Sequence, residues 1–205
     1  MSNFALITGG ARSGKSSFAE LLAAHPGKPV IYIATAQVLD DEMALRVKKH
    51  RLQRPSDWQL IEEPFDIQAA LNEIRDEDSV VLLDCVTIWL SNLMLKSLGS
   101  NSESSYPDTL SPEAEEEIMA QVREAASLAK EITPQVIMVT NEVGQGIVPD
   151  NPMARSYRDL AGRANQLLAH YAHQVFWVVA GYPIEVKQNG QELLDSLKPQ
   201  QERLL

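Results

Sequence analysis

The sequence has almost no cysteine: Cys85 is the only one among 205 residues. A single thiol excludes an intrachain disulfide and a metal site built on several cysteines, and it is typical of proteins from a reducing compartment. Positive charge is also scarce, because 18 lysines and arginines face 28 aspartates and glutamates, for a formal net charge of −10. A general nucleic-acid-binding protein carries a basic surface and stacking aromatic residues instead, so we expect no nucleic-acid partner.

Long apolar segments are missing too. The longest apolar-rich run, VFWVVAGYPI at residues 175–184, is too short to span a bilayer. The first ten residues, MSNFALITGG, have neither a basic start nor a long apolar stretch, so we expect no secretion signal. A chain of 205 residues with 44% hydrophobic content can bury the core of one domain. The predicted location is the cytoplasm, with no membrane span.

Short β-branched segments alternate with longer helical patterns, which is typical of a parallel α/β sheet. The predicted strands are residues 4–8, 30–35, 58–63, 80–84, 135–140 and 175–181. The predicted helices are residues 16–24, 41–51, 67–74, 87–96, 113–132 and 153–172. Four of the strands are apolar throughout, as strands covered by helices on both faces must be.

Two polar segments interrupt this alternation. Residues 97–112 contain many turn-forming residues and predict a long surface loop. Ser111 and Pro112 then carry the signature of a helix start. Residues 188–205 form a polar tail whose role the pattern does not define. We therefore expect one domain over residues 1–187, followed by the tail 188–205.

The sequence GGARSGKS, at residues 9–16, fits the phosphate-binding pattern G-x-x-x-x-G-K-[ST]. It follows the first predicted strand and precedes the first predicted helix, as this pattern requires. Backbone N–H groups in such a loop, together with the helix N-terminus, bind phosphate oxygens. We then expect Lys15 at the β- and γ-phosphates and Ser16 at a magnesium ion. A glycine-rich turn before a helix is the simpler alternative, but pattern and context together favour a nucleoside triphosphate site.

A P-loop is normally accompanied by a second acid that holds the metal. Asp84 ends the apolar run SVVLLD and should emerge at the carboxyl edge of the sheet, where ligands bind in open α/β folds. A helix-capping or turn aspartate is the alternative. Asn141 and Glu142 follow another strand at this edge and are further polar candidates. Arg155, in the next helix, either pairs with Asp159 on the surface or contacts a phosphate or substrate.

Positive charge is concentrated in one short segment, RVKKHRLQRP at residues 46–55. It places five cationic side chains around His50: Arg46, Lys48, Lys49, Arg51 and Arg54. Nearby cations would lower the pKa of the imidazole and keep it neutral, as nucleophilic attack requires. A solvated basic helix face is the other interpretation, and the residues alone leave both open. The remaining histidines lack such surroundings and are interpreted as structural or surface residues: His25, His170 and His173.

Five segments together resemble one family, the bifunctional adenosylcobinamide kinase/adenosylcobinamide-phosphate guanylyltransferases of cobalamin biosynthesis. They are ITGGARSGKSSFAE, YIATAQVLDDEMALRVKKHRLQRPSDWQLIEEP, LLDCVTIWLSNLM, VTNEVGQGIVPDNPMAR and YRDLAGRANQLLA. The resemblance implies a cytoplasmic homotrimer with an α/β P-loop NTPase fold, a mostly parallel sheet flanked by helices around a RecA-like core. It also implies two reactions. Adenosylcobinamide is phosphorylated by ATP or GTP, and GMP from GTP is then joined to adenosylcobinamide phosphate through a covalent histidine, with release of pyrophosphate.

The same resemblance implies roles for particular residues. His50 corresponds to the guanylylated histidine, Lys15 and Asp84 are the other catalytic residues, and Ser16 and Asp84 hold Mg²⁺. The implied nucleotide contacts are Gly9, Gly10, Ala11, Arg12, Ser13, Gly14, Lys15, Ser16, Ala34, Thr35, Ala36, Arg51, Leu52, Gln53, Arg54, Glu62 and Asp84. Some members carry Glu at the position of Asp84, and either carboxylate can serve a metal. The preferred phosphoryl donor and the residues that contact the corrinoid are not defined by the sequence.

Two other functions stay open from the residues alone. A plain small-molecule P-loop kinase would use His50 only to help bind phosphate. A regulatory nucleotide switch would bind nucleotide without turnover. The switch is the weaker of the two, because the sequence lacks an NKxD-like guanine motif.

Overall fold

The computed structural model describes residues 4–37, 55–99 and 109–197. Its strands are β1 Phe4–Thr8, β2 Val30–Ala34, β3 Gln59–Glu62, β4 Val80–Asp84, β5 Gln135–Val139, β6 Gln174–Val179 and β7 Tyr182–Glu185. Its helices are α1 Lys15–Ala24, α2 Ile67–Glu73, α3 Val86–Gly99, α4 Pro112–Glu131, α5 Pro152–Tyr171 and α6 Lys187–Leu197. None of these described helices is long and apolar enough to cross a membrane.

The six predicted strands are all found, with ends within two residues of the prediction. The predicted helix 41–51, which contains His50, lies outside the described residues, as do residues 100–108 of the predicted loop. Helix α3 continues to Gly99, so the first residues of that predicted loop are helical instead. Strand β7 and helix α6 were not predicted. Pro183 argues against a strand by pattern, although an edge strand such as β7 tolerates proline.

The seven strands form one sheet in the order β3-β2-β4-β5-β1-β6-β7. Strands β1 to β6 are parallel, and only β7 pairs antiparallel, with β6. Strand β5 therefore lies between β1, which leads into the glycine-rich loop, and β4, which ends at Asp84. This mostly parallel α/β sheet flanked by helices confirms the predicted fold class.

Helices cover both faces of the sheet. On one face, the small residues Ala19 and Ala23 let α1 pack closely on β4 and β5. On the other face, α2, α3, α4 and α5 enclose a larger core around Trp89. Buried strands contribute to both cores because successive side chains point to opposite faces. Leu82 packs toward α1, for example, and Leu83 packs toward the larger core.

Local sequence explains where the two longest described helices begin. The Ser111 hydroxyl accepts a hydrogen bond from the Ala114 N–H at 3.2 Å, and Pro112 occupies the first helical position of α4. Helix α5 begins the same way, with the Asn151 side chain accepting from the Ala154 N–H at 3.1 Å. These caps satisfy backbone donors that no preceding turn can reach. The predicted start of α4 is thus confirmed.

One edge of the sheet leaves apolar side chains in water. The β6–β7 hairpin turns through Ala180 and Gly181, which both have positive φ, at 50° and 87°. Cross-strand neighbours share a face of the sheet, and one face of this hairpin carries four exposed residues: Trp177, Val179, Tyr182 and Ile184. Helix α6 follows and leaves three leucines exposed: Leu193, Leu194 and Leu197. We call these seven side chains the hairpin surface.

Candidate active site

The loop after β1 turns tightly on itself. The Ser13 N–H donates to the Gly10 carbonyl at 3.2 Å. A Cβ added to Gly9 would lie 2.6 Å from the Val178 carbonyl oxygen, so no side chain fits there. Gly14 has a φ of +96°, a conformation that glycine adopts at little cost. The glycines of the phosphate-binding pattern thus stand where the backbone requires them.

The β6–β7 hairpin supports this loop from the side. The Gly181 N–H donates to the Ser13 carbonyl at 2.8 Å. A Cβ on Gly14 would lie 3.0 Å from the Gly181 Cα, so the two backbones are in close contact. The hairpin turn therefore braces the P-loop, a role that sequence analysis missed because β7 was not predicted.

Lys15 begins α1, and its side chain turns back over the loop. Its ammonium group donates to the Gly10 carbonyl at 3.1 Å, and the residue is only 8% exposed. Ser16 follows in the first turn of α1 and is half-buried. A buried cation beside loop amides and a helix N-terminus is an arrangement that binds phosphate oxygens. Arg12 lies in the same loop, exposed and with a φ of 57°.

Asp84 ends β4 on the face of the sheet that α1 covers. Residues two apart on a strand share a face, and Leu82 packs in the core under α1. The Tyr32 hydroxyl donates to Asp84 Oδ2 at 3.1 Å, and Tyr32 is only 2% exposed. This bond holds the carboxylate in one orientation. Sequence analysis missed Tyr32, although a hydroxyl inside the otherwise apolar strand VIYIA was the available signal.

Thr35, a predicted nucleotide contact, is completely buried. Its hydroxyl donates to the Cys85 carbonyl at 2.9 Å and accepts from the Cys85 N–H at 3.1 Å. The Asn92 amide donates to the Thr35 carbonyl at 2.8 Å. The Thr35 side chain thus joins the ends of β2 and β4. Because the Thr35 hydroxyl is already bonded within the protein, the nucleotide contacts predicted at residues 34–36 would have to come from backbone groups or from Ala34 and Ala36.

Thr87 connects the end of β4 to the chain that follows β5. Its hydroxyl accepts from the Asn141 amide at 2.9 Å, and its carbonyl accepts from the Tyr157 hydroxyl at 2.7 Å. The Cys85 thiol lies 3.1 Å from the Thr87 hydroxyl. Burial raises the pKa of this thiol, and the Asp84 carboxylate acts in the same direction. A buried, protonated thiol is a poor nucleophile, so Cys85 has a structural role.

Residues 140–151, which we call the β5–α5 loop, lie beside the P-loop. The Glu142 N–H donates to the Gly9 carbonyl at 3.0 Å. The Glu142 carboxylate accepts from the Gly144 N–H at 2.7 Å, which shapes the turn. The Asn141 carbonyl accepts from the Asn165 amide of α5 at 3.1 Å. Glu142 thus contacts the phosphate-binding loop, and Asn141 contacts Thr87 and Asn165; both lie at the carboxyl edge of the sheet, as expected of residues that follow a strand end.

Arg155 holds the far end of the β5–α5 loop. Its guanidinium group donates to the Pro149 carbonyl at 2.8 Å and to the Asp150 carbonyl at 2.7 Å. These bonds replace the surface pair with Asp159 that the sequence suggested, because Asp159 is contacted instead by Arg158 at 3.6 Å. A helical i, i+4 spacing allowed the pair, but carbonyl oxygens at the start of α5 lie closer.

The described candidate residues meet at one edge of the sheet. Glu62, at the end of β3, stands opposite Ala34, and Ala34 stands opposite Asp84 on its other side. With the P-loop after β1, these residues line the carboxyl ends of the strands. The other predicted contacts lie outside the described residues and stay predictions: His50, Arg51, Leu52, Gln53 and Arg54.

The described histidines agree with a structural interpretation. His173 Nδ1 accepts a hydrogen bond from the Phe4 N–H at 3.2 Å, which links β1 to the start of β6. His25 ends α1, and the His170 ring packs edge-on against Tyr171 at 5.6 Å.

The donors at this edge suit a magnesium ion. Magnesium prefers oxygen ligands and usually keeps several waters, with one or two protein ligands and substrate phosphates completing its shell. Ser16 supplies a hydroxyl in the first turn of α1, and Asp84 supplies a carboxylate whose orientation Tyr32 holds. Among residues 4–37, 55–99 and 109–197, no three His, Cys, Asp or Glu side chains form a metal cluster.

These features define a protein of the P-loop NTPase class. They are a P-loop closed by backbone bonds, a buried lysine, and a carboxylate two strands away. A family model described as "Cobinamide kinase / cobinamide phosphate guanyltransferase" matches residues 5–186. The chain belongs to this family. It is an enzyme of cobalamin biosynthesis with a kinase and a guanyltransferase activity.

Curated relatives agree with this placement. The chain is 42% identical over 183 residues to the bifunctional adenosylcobalamin biosynthesis protein CobU of Escherichia coli strain K12, covering 89% of this chain and 98% of the relative. It is 41% identical over 182 residues to the CobU protein of Salmonella typhimurium, with coverage of 89% and 98%. It is 40% identical over 182 residues to the CobP protein of Pseudomonas aeruginosa, with coverage of 89% and 96%.

Solved structures resemble the fold at low sequence identity. A protein from Pyrococcus horikoshii OT3 has a TM-score of 0.51 and 7% identity, covering 90% of this chain and 85% of its own. The RadB recombinase has a TM-score of 0.46 and 14% identity, covering 86% of this chain and 74% of its own. The first likeness agrees with the fold and says nothing further about function.

Proposed function

We propose that the guanyltransferase reaction passes through a covalent guanylyl group on His50. In the first half, an imidazole nitrogen attacks the α-phosphorus of GTP, the bond to the bridging oxygen breaks, and pyrophosphate leaves. In the second half, a phosphate oxygen of adenosylcobinamide phosphate attacks the same phosphorus and the P–N bond breaks. The products are adenosylcobinamide-GDP and a free histidine. A covalent intermediate divides one difficult transfer into two easier ones.

The observation that carries this proposal is a single phosphate-binding pattern in a chain whose family has two named activities. The chain contains one G-x-x-x-x-G-K-[ST] pattern, at residues 9–16. Lys15 is buried beside the loop, and its ammonium group would neutralise charge on the leaving pyrophosphate and, in the kinase step, on the transferred phosphoryl group. Five cationic side chains around His50 in the sequence favour the neutral, nucleophilic imidazole.

In the kinase reaction, the hydroxyl of the aminopropanol arm of adenosylcobinamide attacks the γ-phosphorus of ATP or GTP. The bond from that phosphorus to the bridging oxygen breaks, ADP or GDP leaves, and the hydroxyl proton is released. We propose that P-loop amides and Lys15 position the triphosphate, while Ser16 and Asp84 hold Mg²⁺. Bound Mg²⁺ would neutralise phosphate charge. Tyr32 would keep the Asp84 carboxylate oriented through the bond at 3.1 Å. This step needs no covalent protein intermediate, so His50 has no required part in it.

The two alternatives left open by the residues fit the family less well. A plain kinase would have no guanyltransferase activity, and a nucleotide switch would have no turnover, whereas the family description names both reactions. The histidine intermediate itself is separable from these points, since guanylyl transfer could also occur directly between the two substrates.

The test is covalent labelling with GTP that carries the label on the α-phosphate, without corrinoid. We expect label on the parent protein that is released by acid and retained in alkali, as a phosphoramidate requires. His50→Ala should take up no label and should lose adenosylcobinamide-GDP formation, yet keep much of the kinase rate. Replacing His25 in the same way should change neither reaction. Label retained by His50→Ala, or label stable to acid, would rule out the guanylyl-histidine.

We also propose that the enzyme works as a homotrimer in the cytoplasm, with residues 1–187 as the catalytic unit. The hairpin surface supports an assembly, because Trp177, Tyr182 and Ile184 are 36%, 77% and 51% exposed on one face. The family match ends at residue 186, just before α6. A buried free Cys85 suits a reducing compartment. Sedimentation should give three times the mass of the chain; a monomer mass would contradict the assembly.

A further inference from the structure

The β5–α5 loop exposes an apolar pair next to the P-loop. Ile147 is 96% exposed and Val148 is 58% exposed. Gln145 and Gly146 precede them and are exposed as well. A Cβ added to Gly146 would meet no heavy atom within 4 Å, so the space beside this pair is open. Ile147 and Val148 are adjacent in the chain, and neighbouring exposed apolar side chains beside a site are candidates for a binding surface.

This exposure belongs to a fastened loop. At its start, the Glu142 N–H bonds to Gly9 at 3.0 Å and the Asn141 amide bonds to Thr87 at 2.9 Å. At its end, Arg155 donates to the carbonyls of Pro149 and Asp150. Ile147 and Val148 therefore lie between two anchored ends of the loop, and the first of these ends is bonded to the P-loop.

Strand order indicates where the acceptor of the kinase reaction would enter. Asp84 ends β4, two strands and roughly 10 Å from the loop after β1. With the triphosphate bound over that loop, as proposed above, the γ-phosphate would lie between Lys15 and Asp84, and an acceptor hydroxyl would attack it opposite the leaving group. The strand between β1 and β4 is β5. The acceptor thus approaches above the carboxyl end of β5, where the β5–α5 loop begins.

The geometry points to the tip of the β5–α5 loop, Gln145 to Val148, as the docking surface for the corrin macrocycle. Ile147 is five positions after Glu142, so the tip is at most roughly 17 Å from the P-loop contact. The aminopropanol arm lets the hydroxyl enter the site while the macrocycle stays outside against the loop. Corrin rings carry methyl groups and amide side chains, which match the apolar pair and the Gln145 amide. This inference rests on the kinase reaction of the proposed function.

The hairpin surface is another exposed apolar region among the described residues, and it lies on the wrong side for this acceptor. Strands β6 and β7 follow β1 on the side away from β5 and β4. A macrocycle on that side would approach from the edge opposite to Asp84. A second copy of the chain is the alternative occupant of the Ile147 and Val148 surface. Its presence there would be seen as a loss of sedimentation mass when the two residues are replaced.

The test is the double variant Ile147→Ser/Val148→Ser, compared with Leu21→Ser. Leu21 is also apolar and 71% exposed, but lies on α1, which runs away from the P-loop. In the loop variant, the KM for adenosylcobinamide should rise about tenfold with the KM for ATP unchanged, because two apolar contacts to the acceptor are lost. Equilibrium binding of adenosylcobinamide, followed by its visible absorbance, should weaken equally. Leu21→Ser should match the parent in both measurements.

Three results would overturn the inference. The loop variant could match the parent in KM and binding, it could raise the KM for ATP by the same factor, or its sedimentation mass could fall, which would assign the surface to a second copy. Failure of the guanylyl-histidine is read separately, because GTP labelling of His50 needs no acceptor and should be normal in the loop variant. A parent protein that neither binds nor phosphorylates adenosylcobinamide would overturn the kinase reaction and this inference together.

Discussion

Two loops leave adjacent strands at the carboxyl edge of the sheet, and they are held in opposite ways. The P-loop is held by backbone contacts: Ser13 bonds to Gly10, Gly181 of the hairpin bonds to Ser13, and Gly9 has no room for a side chain. The β5–α5 loop is held by side chains that reach other parts of the chain, such as Asn141 to Thr87 and Arg155 to backbone carbonyls. The first closes tightly on itself, and the second leaves its tip open.

This difference separates two kinds of recognition. A phosphate is the same in every nucleotide, so a rigid cradle of N–H groups serves it, and the residues that build such a cradle recur as a pattern. A large acceptor needs surface and access instead. The β5–α5 loop provides both, because Gly146 borders open space and Ile147 is left in water.

The largest expected effect comes from removing the cation of the P-loop. Lys15→Ala should lower both the kinase and the guanyltransferase rate by about 100-fold or more, because one buried ammonium serves both triphosphates. Lys28→Ala is the matched control, since Lys28 pairs with Asp78 at the surface. Paired assays of both products measure this. Guanylyl transfer that survives in Lys15→Ala would show that the two reactions use separate nucleotide sites.

The next largest effect is expected when a glycine is replaced by alanine in each loop, because only the P-loop should lose stability. Gly9→Ala puts a methyl group 2.6 Å from a backbone oxygen, so we expect about 1–3 kcal/mol of lost stability and weaker nucleotide binding. Gly146→Ala meets nothing and should change the free energy of unfolding by less than about 0.5 kcal/mol. Denaturant unfolding and nucleotide titration measure both. Equal losses for the two variants would contradict the contrast drawn between the loops.

The smallest effect is expected at the anchor of the β5–α5 loop. Arg155→Ala removes the donor to Pro149 and Asp150 and should cost about 1 kcal/mol, with faster amide hydrogen exchange at residues 143–150. Exchange in the P-loop should not change, because its bonds do not involve Arg155. Arg123→Ala, which loses only a surface ion pair, is the control. Faster exchange in both loops would mean that they open as one unit.

The sequence by itself determined the parallel α/β class, the P-loop and the position of Asp84 at a strand end. Each depends on local information: buried parallel strands read as continuous apolar runs, and a phosphate cradle needs glycine, lysine and serine at set spacings. Five segments that occur in the same order as in the family predicted the family, and the family model confirms it. The six strand positions followed from the same local patterns and are confirmed within two residues.

Only the tertiary structure decided which side chains support the site. Tyr32 meets Asp84 because β2 and β4 are neighbours, although 52 residues separate the two in sequence. Gly181 bonds to Ser13 from the turn of the β6–β7 hairpin. The sequence pattern did not predict this hairpin, because its short edge strand contains Pro183. Arg155 bonds to the carbonyls of Pro149 and Asp150 rather than to Asp159, although the helical spacing allowed that pair. Such contacts depend on which strands lie side by side, and strand order is set by packing of the whole chain rather than by any one segment.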